Sequence, residues 1–177
     1  VVVNQLRSCL TPCSHSTLEK EMNTPQDDWR NQPIIWKASC LQLLDTLRVT
    51  EHGLLNPNTT KTEEHSAIQS SMMIAGFAFE NAFKAWYLTQ GNKLYINNKL
   101  QKLRTHSFTG WVEEYQIKTK GWELEALDRA EFYSVAWGRY PAHNNKEKER
   151  AFETSSFGDI NQIRNLISRL LEGIVAK

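Results

Sequence analysis

The stretch Ser66–Gly91, SAIQSSMMIAGFAFENAFKAWYLTQG, constrains the fold more than any other part of the chain. Ile68, Met72, Ala75, Phe79, Phe83 and Trp86 recur at spacings of three and four, which places them on one helical face. Met73, Phe77 and Leu88 widen that stripe beyond what a surface helix needs. A helix apolar over most of its circumference is contacted from several sides, so the other elements are expected to gather around it. Glu80 and Lys84 interrupt the apolar surface. They stand four apart with the Glu first, the favourable order for a helical ion pair. Both are read as structural residues, forming either an exposed pair or a half-buried one that also engages a neighbouring helix. Gly91 follows as a C′ stop.

The remaining segments supply helices to pack on it. Asp27–Thr50 reads as a first helix with Trp36, Cys40, Leu43, Leu44 and Leu47 inward. Pro33 allows a second placement, with the helix starting near Asn31 and Asp27–Arg30 forming a separate turn. Leu54–Thr62 is a loop rich in Pro, Asn and Thr, and the central helix is expected to start near Thr62 or Glu63. Asn92–Arg104 suits a short helical turn or an irregular crossover. A short amphipathic helix opens near Thr105 and carries Phe108, Trp111, Val112 and Tyr115. Trp122–Gly138 is another, stopped by Pro141. The last runs Gly158–Val175 with Ile160, Ile163, Ile167, Leu170 and Ile174 inward, preceded by the capping pair Ser156 and Asp159. No strand-like alternation and no hairpin dipeptide is apparent. The expected fold is all-α, an up-and-down bundle of about five helices. Residues 1–25 are expected to form a flexible N-terminal tail and 26–177 a single helical domain.

Composition narrows the functional classes. The net charge is +1, which gives no global argument for nucleic-acid binding and leaves that role to a local patch. Lys93, Lys99, Lys102 and Arg104 form one such patch, read either as a solvated surface or as an RNA contact. Cys9, Cys13 and Cys40 are odd in number without disulfide spacing, so a reducing, cytoplasmic setting is expected. Cys9-x3-Cys13-x-His15 lacks the second ligand pair of a zinc site, and neither metal nor cofactor is expected. No window reaches the ~18–20 apolar residues of a membrane span. The N-terminal VVVNQLRSCL lacks the long apolar core of a signal peptide.

There is no phosphate-binding glycine loop, no GxSxG, no HExxH and no paired CxxC. Gly138-Arg139-Tyr140-Pro141-Ala142-His143-Asn144 is the one constellation with chemistry in it. Arg139 offers forked donors for a phosphate. His143 titrates near neutral pH and suits general acid–base work. Tyr140 can stack or donate, and Asn144 can hydrogen-bond a base. Together Arg139 and His143 would suffice for metal-independent RNA cleavage, the His moving protons and the Arg stabilising the charged phosphorane. The alternative is an Arg139 paired with a carboxylate of a neighbouring helix and an exposed loop His143.

GFAFENAFKAWYLTQG, THSFTGWVEEY and the helix ending in GRYP follow one another in an order that resembles the HEPN superfamily (higher eukaryotes and prokaryotes nucleotide-binding). The matching positions are Glu80-x3-Lys84 on the central helix, Thr105-His106 before a short helix, and Arg139-Tyr140-Pro141 at a later helix end. The resemblance covers roughly residues 36–175. It implies a four- to five-helix bundle acting as a homodimer. It also implies one of two roles. Many members are metal-independent endoribonucleases of toxin–antitoxin, phage-defence or RNA-processing systems, with an Arg-x4–6-His motif from two subunits. Others are binding or assembly modules, some beside a nucleotidyltransferase, and an antitoxin is a further partner the resemblance implies. Here Arg139 and His143 have three residues between them, and Tyr140-Pro141 replaces the usual polar residue. The binding module, taking a partner protein or a nucleotide or RNA ligand, is therefore the first expectation. The endoribonuclease using Arg139 and His143, with Tyr140 and Asn144 assisting, is the second; Tyr140, Asn144, Lys102 and Arg104 are the candidate ligand contacts.

Overall fold

The computed structural model describes residues 28–54, 58–101, 103, 107–137 and 155–174. A 3-10 turn, Trp29–Asn31, leads into α1 (Pro33–Leu54), so the break at Pro33 is real. Asp28 accepts from the Arg30 N–H and caps the turn, and Pro33, with no N–H to satisfy, opens the helix. α2 (Lys61–Thr89) is the central helix. Thr60 caps it with a full capping box: its hydroxyl accepts from the Glu63 N–H, and the Glu63 carboxylate accepts from the Thr60 N–H at 2.8 Å. Gly91, at φ 81°, ends it in the left-handed region that glycine adopts without a steric cost.

The crossover after α2 differs from the expectation of a helical turn or irregular chain. It contains an antiparallel ribbon, β1 (Tyr95–Ile96) against β2 (Lys99–Leu100), with Tyr95 opposite Leu100. Asn97 and Asn98 both take positive φ, 51° and 61°, the backbone that a tight hairpin turn requires. Asn31 clasps this ribbon to the 3-10 turn. Its Oδ1 accepts from the N–H groups of Leu94 and Tyr95, at 2.9 and 2.8 Å, and its Nδ2 donates to the Tyr95 carbonyl at 2.7 Å.

α3 (Phe108–Glu114) starts at an N-cap of Ser107. The Glu131 carboxylate also accepts from the Phe108 N–H at 2.6 Å. α4 (Gly121–Glu131) runs on as a π-helical turn, Phe132–Trp137, and α5 (Phe157–Leu171) closes the described chain. The fold is thus mostly helical, with five α-helices among the described residues.

α2 packs against α1, α5, α4 and the π turn. Met72, Ala75, Ala78, Phe79, Ala82, Phe83 and Ala85 are all buried, so the wide apolar stripe does what its width requires. α1 contributes Cys40 and Leu47, and α5 contributes Ile160, Ile163, Leu166, Ile167 and Leu170. α3 covers α2 with aromatic rings: Phe83 stacks on Trp111 with centroids 4.6 Å apart, and Phe79 meets Phe108 at 5.1 Å.

Candidate functional site

Arg139, Tyr140, His143 and Asn144 lie outside the described residues, as do Lys102 and Arg104 and the Cys9, Cys13, His15 group. Of the residues that carry the family resemblance, Glu80 and Lys84 are placed, as are Lys93 and Lys99 of the basic patch. Lys84 Nζ donates to Glu80 Oε1 at 2.6 Å, and the side chains are only 17% and 23% exposed. The ammonium also lies over the Trp36 ring of α1, 4.5 Å from its centroid. Lys84 therefore joins two helices and does not merely decorate one. The Trp36 indole donates in turn to the Arg30 carbonyl at 2.8 Å. Arg30 is held by both oxygens of Asp28, donates to Asn98 at 3.0 Å and stacks over Tyr95 at 3.9 Å. A continuous run of polar and aromatic contacts thus connects the central helix to the ribbon. Pairing with Arg30 holds the Asp28 carboxyl below the ordinary carboxylate range.

The helix leading toward Arg139 is organised by α2 and α5. A Cβ on Gly76 would lie 2.7 Å from Ser134 Oγ and 2.9 Å from the Ala130 carbonyl, so only glycine lets α2 approach the π turn this closely. Ser134 Oγ donates back to the Ala130 carbonyl at 2.8 Å, a bond that competes with the regular helical ladder at the point where the helix widens. Tyr133 is buried there, and burial pushes its phenol up. The Ser155 hydroxyl and Arg129 act in the opposite direction. Arg129, one turn earlier, pairs with Asp159 in the first turn of α5. Asp159 also accepts from the Ser156 N–H at 2.8 Å. One carboxylate therefore caps α5 and fastens it to α4.

The chain matches no protein-family model, no curated protein and no solved structure. Its chemistry is read from its own side chains. Among the described residues no three His, Cys, Asp or Glu side chains are grouped to hold a metal ion, and no helix is long and apolar enough to cross a membrane.

Two further constellations escaped the sequence reading. Glu123, 2% exposed, accepts from the Lys120 N–H and from Arg169, each at 2.8 Å. Beside it, Trp122 is 52% exposed although its indole N–H donates to Gln162 Oε1 at 2.9 Å. The Lys120 ammonium lies 5.0 Å from the Trp122 ring centroid. The sequence reading begins this helix at Trp122 and gives its side chain no role. The local excess of Lys118 and Lys120 just before it was the available signal.

Proposed function

We propose that the chain is a HEPN-like helical module, dimeric, which works by binding a nucleotide or RNA ligand or a partner protein. The observation that carries this reading is the order Glu80-x3-Lys84, Thr105-His106, Arg139-Tyr140-Pro141 along a chain with five α-helices among its described residues. The half-buried Glu80–Lys84 pair on the central helix supports it, because there the signature residues serve the architecture. The three-residue gap between Arg139 and His143 favours binding over catalysis. The alternative is a metal-independent endoribonuclease of toxin–antitoxin or phage-defence type, with Arg139 stabilising the phosphorane and His143 moving the proton.

Incubation of the purified protein with total RNA in EDTA separates the two. The module reading expects intact RNA and a dimer mass by light scattering. Cleavage that disappears in both Arg139→Ala and His143→Ala would establish the endoribonuclease instead.

A further inference from the structure

The loop before α4, the start of α4 and the outer face of α5 form a ledge that none of the signature residues occupies. Trp122 is its centre. A half-exposed indole forgoes burial that its area would reward, yet this one is held in orientation by Gln162 and by the Lys120 ammonium against its ring. Arg169, seven residues beyond Gln162 on α5, lies about 10 Å further along the helix. It is 44% exposed and also reaches the Lys118 carbonyl at 3.5 Å. Lys118 and Lys120 are both exposed. The ledge therefore sets the Lys120 ammonium against one oriented aromatic ring, with exposed Lys118 two residues earlier in the chain and Arg169, paired with Glu123, further along α5. The Glu123 carboxylate beneath them is buried and already engaged by Arg169 and the Lys120 N–H, and Glu125 is the exposed acid nearest in sequence.

We propose that this ledge binds single-stranded nucleic acid, with an unstacked base on Trp122 and the flanking phosphates on Lys118, Lys120 and Arg169. The pattern of an aromatic platform beside a short basic track is what sequence-tolerant strand binding requires, since every base presents a π face and every linkage a negative charge. A duplex hides its base faces and satisfies only the charges. The chain's net charge of +1 supplies no global attraction, so binding at the ledge draws on its local cations. The inference rests on the binding-module reading and gives it a site and a ligand class.

Fluorescence anisotropy with a labelled twelve-nucleotide oligouridylate, at 50 and 200 mM NaCl, tests it. The wild type binds, and more weakly at the higher salt. Trp122→Ala weakens binding roughly 5- to 150-fold, the range for loss of one stacked base. Trp122→Phe, which keeps a ring but loses the bond to Gln162, retains most of the affinity and controls for a folding defect. Lys120→Gln lowers the slope of log affinity against log salt by about 0.7. A duplex of equal length binds more weakly, and an oligothymidylate tells RNA from DNA as the preferred strand. Absence of wild-type binding at 50 mM salt, equal binding of the duplex, or unchanged affinity in a folded Trp122→Ala overturns the ledge. A monomer that still binds through Trp122 overturns the dimeric module and leaves the ledge standing.

Discussion

Lys84 shows how a single side chain can be misjudged from spacing. A Glu-x3-Lys pair on a helix has the geometry of a solvated surface bridge, worth ~0.5 kcal/mol at most. Here the ammonium is enclosed between Glu80 and the Trp36 ring, and both charges are largely withdrawn from water. Removing one partner leaves the other half-buried and uncompensated. Glu80→Ala is therefore expected to cost more than ~0.5 kcal/mol and less than the ~3–5 kcal/mol of a fully buried broken pair. Urea denaturation of both proteins measures it, and a loss within the surface range would return Glu80 to a decorative role. The sequence placed this pair on the right helix and left its burial open, because burial depends on α1 lying across that face.

At the level of elements, helices were legible and departures from them were not. The 3.6-residue period pointed to the inward face of each helix: Cys40 and Leu47, Phe79 and Phe83, Trp111 and Val112, Leu127 and Ala130, Ile163 and Ile167 are buried, while Trp36, Leu43, Leu44, Ile68 and Trp86 on the same faces are partly buried against the core. The ribbon was missed because two-residue strands are too short to show alternation, and because Asn97-Asn98 supplies positive φ without a glycine. Such a short ribbon does not stand alone. Asn31 holds it by three hydrogen bonds, one amide side chain standing in for a third strand. Asn31→Ala is expected to strip those partners and cost ~1–3 kcal/mol. Hydrogen exchange at Leu94 and Tyr95 should then accelerate while amides inside α2 keep their protection. Unchanged exchange at those two amides would show that the ribbon is held by something else. The π turn was illegible for a related reason: Gly76 and Ser134 are distant in sequence, and neither residue alone signals the close approach they make.

Across the whole molecule, polar residues do two jobs at once, anchoring helix ends and tying separate elements together. Asp159 caps α5 and holds Arg129, Glu123 serves the start of α4 and Arg169, and Asp28 caps the 3-10 turn and fixes Arg30. Two of the capping carboxylates, Asp28 and Glu63, make the fold sensitive to acid. Asp28, through Arg30, and Glu63, through the N–H and hydroxyl of Thr60, are both held below the ordinary carboxylate range. A folded-state pKa below the unfolded one contributes stability that is complete at neutral pH and is lost as pH falls through the folded value. The wild type should thus exceed Asp28→Asn in urea midpoint at pH 7, and the gap should narrow toward pH 3. A gap that widens in acid would mean that the Asp28 carboxyl is not stabilised as an anion.

The exposed ledge around Trp122 belongs to this scale as well, since its cations and its ring come from a loop, α4 and α5 together. No single segment announces it. The class of the fold and the identity of its central helix follow from the order of residues alone, because a wide apolar stripe of helical period can be satisfied only by burial on several sides. Which charges are structural, which ring stays in solvent, and where the chain departs from helix were decided by tertiary structure. Burial, enclosure and close approach are properties of neighbours that the chain brings together only when folded.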